Sequence, residues 1–219
     1  MPTNARSRMT DRDLAEIIEL GHETQRVEFK GPGRRDDGHT MAVVTRAVLA
    51  MTNLRGGGVV VIGVAERADK SLEAVGVSLD IEATWTNFDA VCDQFGRYAD
   101  PSVVFEIEVR EYSGKRFVVI NVQEFAEVPI LCRQNYQSAA DPARGRPAQV
   151  EVLRGGACYV RSKRKPESAV VRTSEDMRDL IGLAVEKAIA RQATLDRIRL
   201  AAAAAPDPRA HYDAEQERM

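Results

Sequence analysis

Three carboxylates, Glu23, Glu28 and Glu66, stand where they could act together. Glu28 alternates with Val27 and Phe29 in the run RVEFK, so it sits on the face opposite those apolar side chains. Glu23 lies in the turn before that run, and Glu66 leaves a second apolar run, VVVIGVAE. If the two runs are neighbouring strands, the three acids converge. Convergent carboxylates suit Mg²⁺ or Mn²⁺, hard cations that take oxygen ligands and keep waters for a substrate phosphate. Such an ion activates water against a phosphodiester. Lys30, two residues after Glu28 and therefore on the same strand face, would stabilise charge developing in the transition state or help activate the water. The alternative is that these are solvated charges at strand ends, as most surface carboxylates are.

The basic residues lie toward the other end of the chain. Between Arg133 and Arg172 there are nine Lys or Arg against three acids, Asp141, Glu151 and Glu167, in a chain whose net charge is -2. A bulk positive field is excluded by that net charge, so any phosphate-contacting surface must be local. Its densest part is RSKRK, where Arg161, Lys163, Arg164 and Lys165 are the candidate contacts to a nucleic-acid backbone; a solvated loop is the alternative. Tyr159, just before the run, would stack on a base or simply pack within a strand. Gly56-Gly57-Gly58 runs helix, glycines, strand, the reverse of a phosphate-binding P-loop, and no G-K-[ST] follows. These glycines are expected to permit a tight turn and close packing.

The elements that must position these residues can be read along the chain. Thr10 followed by Asp13 resembles a capping box and opens a helix that Gly21 stops. The strand over residues 26–30 ends at Gly31-Pro32-Gly33. Residues 40–54 carry Val43, Val44, Ala47, Val48 and Met51 at helical spacing, and residues 59–64 are apolar on both faces, as a covered central strand is. A short strand is expected over 71–77 and a helix over 85–98 with Phe88, Val91, Cys92 and Phe95 on one side. Residues 103–112 and 116–122 flank Ser113-Gly114 and form a hairpin. Residues 139–149 read as a loop, 150–160 as a second hairpin turning at Gly155-Gly156, and Thr173 with Asp176 caps a helix reaching about Arg199. This order predicts an α+β fold, one domain with a mixed, largely antiparallel sheet and flanking helices. Its boundaries are a flexible tail over 1–9, the domain over 10–199 and a disordered, low-complexity tail over 200–219.

Several classes of protein are excluded. Cys92, Cys132 and Cys158 are widely spaced with no C-x-x-C pair, and His22, His39 and His211 are scattered, so neither a disulfide framework nor a zinc site is indicated. No stretch reaches the length of a membrane span, and the basic N-terminus lacks an apolar segment after it, so a soluble, cytoplasmic protein is expected.

Together, HETQRVEFK (22–30), TRAVLAMTNLRGGG (45–58), VVVIGVAE (59–66), VGV (75–77) and GACYVRSKRKPES (156–168) resemble the AlbA_2 domain found in Schlafen proteins. The family pattern is roughly E-x-x-x-x-E-F-K, A-x-x-N-x-x-G-G and I-G-V-x-D, and position 66 is Glu where the last motif has Asp. The resemblance implies a metal-dependent ribonuclease site with Glu23, Glu28 and Glu66 as ligands of Mg²⁺ or Mn²⁺. Glu66 is longer than the usual aspartate by a methylene, which displaces its carboxylate. Schlafen cores pair two lobes into a clamp around RNA, so a single-lobed chain is expected to form a homodimer. The leading expectation is therefore an endoribonuclease acting on structured RNA such as tRNA. The alternatives are a non-catalytic DNA-binding regulator and a scaffold whose C-terminal helix recruits a protein.

Overall fold

The computed structural model of the chain describes residues 9–142, 148–163 and 166–204. The capping box forms: Thr10 accepts from the Asp13 N–H, Asp13 accepts in return from the Thr10 N–H, and α1 (Asp11–Glu19) follows. β1 (Val27–Lys30) leads through α2 (Gly38–Thr52) to β2 (Gly58–Ile62), which lies parallel to β1 in the register Val27 to Val59 through Lys30 to Ile62. A β-α-β crossover thus joins the two segments that carry Glu28 and Glu66. β3 (Val64–Glu66) pairs with β4 (Leu72–Ala74) just beyond Gly63, whose φ of +119° turns the chain out of β2.

The periodic stretch expected as one helix over 85–98 is two. α3 (Leu79–Thr86) ends and α4 (Phe88–Tyr98) begins at Asn87, whose side chain accepts from the Ala90 N–H and caps the second helix. β5 (Ala99–Asp100) follows, then β6 (Phe105–Tyr112) and β7 (Lys115–Val122) form the expected hairpin. Its two-residue turn, Ser113 and Gly114, has positive φ at both positions, the geometry that matches the strands' twist. β7 also pairs antiparallel with β2, so the central sheet runs β1-β2-β7-β6. Parallel and antiparallel pairings therefore mix, and the fold is α+β as expected.

The second expected hairpin does not form. β8 (Leu131–Cys132) pairs with β5, β9 (Tyr136–Ser138) with β10 (Val150–Leu153), and β11 (Tyr159–Arg161) with β12 (Ser168–Val170). The turn at Gly155-Gly156 spends its backbone groups on Cys132 instead: the Cys132 N–H donates to Ala157 O and the Gly156 N–H to Cys132 O. The chain closes with α5 (Ser174–Ala204), capped by Thr173 over the Asp176 N–H and continuing through residues 200–204, which composition assigned to a tail. Those residues are largely alanine, the best helix former. Residues 1–8 and 205–219 of the expected tails, and 143–147 of the expected loop, lie outside the described residues.

α2 divides the protein into layers. Val44, Ala47, Val48 and Met51 pack on Val60, Ile62, Val118 and Ile120 of the sheet, while Ala42, Leu49 and Ala50 pack on Leu153, Tyr159 and Val160 of the small ribbons, with Leu180 and Leu183 of α5. Nine of its fifteen residues are buried, and Val43 faces the ribbons rather than the sheet. On the sheet's other face Leu14 of α1 meets Val27, Phe29, Val61 and Val119. The glycines behave as expected: Gly57 has φ +64°, and a Cβ there would lie 2.0 Å from the Val122 carbonyl oxygen.

Buried Asn53, just past α2, joins the layers. Its Oδ1 accepts from the Ile130 N–H (2.8 Å), and its Nδ2 donates to Ile130 O (2.8 Å) and Tyr159 O (2.9 Å). Asn53→Ala leaves these buried backbone groups without partners and is expected to cost on the order of 3 kcal/mol in urea unfolding.

Candidate functional site

Glu23, Glu28, Lys30 and Glu66 all line one open cleft of about 1030 Å³. Its walls are the turn before β1 and β1 itself, the β3–β4 hairpin, the face of α2 at Arg46, and the segments around β10 and β12. Among the described residues the three acids border one cleft without forming a cluster that could hold a metal, and each is already engaged.

Glu28 is 4% exposed, not solvated as the period-two pattern suggested. Its Oε2 accepts from Arg161 Nη1 (2.7 Å) and from the Ser168 hydroxyl, and its Oε1 pairs with the Lys30 ammonium. Burial pushes the Glu28 carboxyl upward, but the charges of Lys30 and Arg161 and the hydrogen bonds from Lys30 and Ser168 outweigh it and hold the group below the usual carboxylate range. Glu23 goes the other way. It accepts from the Phe29 N–H (2.9 Å) and lies 4.0 Å from Arg161, and burial, with the neighbouring Glu28 charge, raises it despite that hydrogen bond. Glu66 ends β3 with its side chain half exposed and pairs with Lys70 (2.7 Å).

Arg161 was expected in an exposed basic loop, and the structure corrects this. Its side chain is fully buried and belongs to β11. Besides Glu28 it donates to the carbonyls of Thr24 (2.7 Å), Gln25 (3.2 Å) and Val27 (3.1 Å), while the Gln25 amide donates to Arg161 O (3.1 Å). Four of the five guanidinium N–H groups are spent inside the protein, and with the side chain fully buried no face of it is open to a phosphate. Tyr159 is buried too, its hydroxyl accepting from the Arg154 N–H (2.8 Å), so it packs rather than stacks on a base. Lys163 is exposed and pairs with Asp179 (2.6 Å), and Arg164 and Lys165 lie outside the described residues.

As arranged, the three glutamates do not fit a Mg²⁺ or Mn²⁺ ion. Glu28 has a cation on each oxygen, Glu66 is paired, and among the described residues no group of three His, Cys, Asp or Glu is placed to hold a metal. Ser168 and Arg46 were not anticipated, and Arg172 was counted only as the last residue of the basic stretch. Ser168 is the third partner of the Glu28 carboxylate, and Arg46 and Arg172 bring further positive charge to the cleft. Arg46 left one visible sign, a lone charge in the otherwise apolar run of α2.

A single-lobed α+β fold with a β-α-β core, and a charged cleft at the end of its parallel pair, defines a class before any comparison. The chain belongs to the Schlafen AlbA_2 family, whose model matches residues 23–169. No curated protein matches the chain. Among solved structures it is similar to the DIP2311 protein from Corynebacterium diphtheriae, with 20% identity and a TM-score of 0.43 over 71% of this chain and 24% of that one. It is also similar to the N-terminal domain of a RecG-related protein from Nitrosomonas europaea, with 19% identity and a TM-score of 0.41 over 76% of this chain and 90% of that one. The chain thus spans about a quarter of the length of the first of these. No helix among the described residues is long and apolar enough to cross a membrane.

Removing Glu28 strands Arg161 as a buried, uncompensated cation, so Glu28→Ala is expected to cost about 3–5 kcal/mol. The pH dependence has a definite sign. Glu28 sits below its unfolded value in the native state, so its contribution is complete above the ordinary carboxylate range and is lost as pH falls through that range to the lower native value. Glu23, raised by burial, contributes oppositely, gaining as pH falls. Thermal melts of Glu28→Gln against wild type on acidification isolate the first component: the variant is expected to lose less stability than wild type between neutral and acid pH.

Proposed function

We propose that this protein binds nucleic acid, RNA in preference to DNA, in the cleft beside β1, and does so without cutting it. Family membership supports the nucleic-acid partner, and the RNA preference follows the Schlafen resemblance. One observation carries the non-catalytic part: Glu28, the central member of the expected metal triad, has both oxygens committed to Lys30, Arg161 and Ser168 and serves as the counterion of a buried arginine. Freeing it for a metal would strand that arginine, at a cost a functional cycle would have to recover at every turnover. In this reading Lys30 serves as a charge partner of Glu28 and takes no part in a transition state.

The test incubates the full chain with labelled tRNA and duplex DNA in Mg²⁺, Mn²⁺ or EDTA. Binding of tRNA that weakens with salt, persists in EDTA and leaves the RNA intact is expected. Metal-dependent cutting that Glu28→Gln abolishes and Glu151→Gln retains would overturn the non-catalytic reading and restore Glu23, Glu28 and Glu66 as metal ligands.

We also propose that two copies associate, giving the single lobe a partner across a shared groove. The support is α5, where Met177, Ile181, Val185 and Ile189 recur every four residues and are exposed, beside the Leu180 and Leu183 face that packs on the domain. Sedimentation at micromolar concentration is expected to show a dimer that Ile181→Lys with Ile189→Lys converts to monomer. A wild-type monomer removes the proposal.

A further inference from the structure

Each acid of the cleft has a partner, whereas two of its bases have none among the described residues. Glu28 is held by Lys30 and Arg161, Glu66 by Lys70, Glu151 by Arg154 (2.9 Å), and Glu23 by the Phe29 N–H; Glu167 is engaged as well. Arg46 and Arg172 line the same cleft, and among the described residues neither has a hydrogen bond or ion pair. Arg46 is the more constrained. It projects from the face of α2 that carries Ala42, Leu49 and Ala50, all buried against the small ribbons, so its stem is enclosed on the way to the cleft. Its Nε is shut off from solvent and has no acceptor, one of two such side-chain atoms among the described residues. A guanidinium N–H that has given up water for nothing is a standing cost, and among the described residues no carboxylate pairs with it.

We infer that Arg46 is the centre of a phosphate subsite in the cleft, with Arg172 as its second cation, and that the ligand is a backbone phosphate of the bound nucleic acid. This rests on the nucleic-acid reading above and adds where a phosphate sits. The chemistry is that of a guanidinium at a cleft wall: with Nε enclosed, the terminal Nη groups are the donors that reach the cleft, and their N–H groups match phosphate oxygens. Arg161 and Lys30 already hold Glu28, which leaves Arg46 and Arg172 as the cleft arginines with no ion pair among the described residues. The subsite therefore lies outside the basic RSKRK run, on a helix that composition marks as core.

The experiment compares wild type, Arg46→Met and Arg172→Met for thermal midpoint and for binding of a short labelled single-stranded RNA across a salt series, with inorganic phosphate titrated separately. Methionine keeps the enclosed stem apolar and removes the stranded N–H, so Arg46→Met is expected to melt at or above the wild-type temperature. Its RNA affinity is expected to fall about tenfold, with the slope of log K against log salt reduced by about 0.7, the value for one lost contact to a single strand. Arg172→Met is expected to lose affinity in the same direction by less. Loss of affinity together with a lower melting temperature would make Arg46 a structural residue and overturn the inference. Wild-type RNA binding with an unchanged Arg46→Met affinity and slope also overturns it, while leaving the nucleic-acid reading intact. Arg46-dependent stabilisation by inorganic phosphate, with RNA binding indifferent to Arg46, assigns the site to a free anion and overturns the backbone assignment. No RNA or DNA binding by wild type removes the nucleic-acid reading and this subsite with it.

Discussion

The buried pair of Glu28 and Arg161 is the constraint on which the rest of the cleft depends. It joins a strand near the start of the chain to one 133 residues later, and the guanidinium that neutralises Glu28 also holds three carbonyls of the segment 24–27. Desolvating two charges costs several kcal/mol per ion, and the attraction between them recovers this only when the remaining donors and acceptors are satisfied. Here Lys30, Ser168 and the three carbonyls satisfy them. The pair consequently does more to determine where β11 and β12 lie against β1 than to add stability over an apolar substitute. Because β12 leads to Arg172 and β11 packs on the face of α2 that bears Arg46, the positions of the cleft's unpaired cations follow from the same contact.

α2 is the second organising element. Its sequence is nearly uniform in hydrophobicity around the helix, and the structure explains this by burying one face on the sheet and the other under the ribbons and α5. A helix enclosed on both sides has little room for charge. Arg46 is retained there with an unsatisfied nitrogen, an arrangement that local stability alone does not favour.

Much of the frame was legible because it rests on short-range physics. The Thr10–Asp13 box, the Ser113-Gly114 turn with period two on either side, and the Gly56–Gly58 junction are each set by neighbours in the chain, and each stands where its residues indicated. What was not legible rests on partners distant in sequence. Alternation placed Glu28 opposite Val27 and Phe29, but only the fold shows that a ribbon covers that face. The run from Arg161 to Lys165 looked like one basic loop, yet its first member points inward because Glu28 and the Thr24, Gln25 and Val27 carbonyls await it. The expected hairpin over 150–160 failed for a similar reason, since Cys132 claims the backbone of its turn. Asn87 hid a helix boundary inside continuous periodicity by supplying the cap itself.

The free edge of β1 carries one more consequence of these contacts. β1 is the outer strand of the sheet, and the groups it turns away from β2 include the Phe29 N–H and the Val27 carbonyl. Glu23 occupies the first and Arg161 the second. An exposed strand edge is a template on which a further chain can add by main-chain pairing, and proteins generally close it with bulges, proline or covering loops. In this protein an acid that accepts from the Phe29 N–H and a base that donates to the Val27 carbonyl close it from the side. The glutamate that sequence alone proposes as a metal ligand thus also occupies a main-chain donor on this edge that an added strand would need.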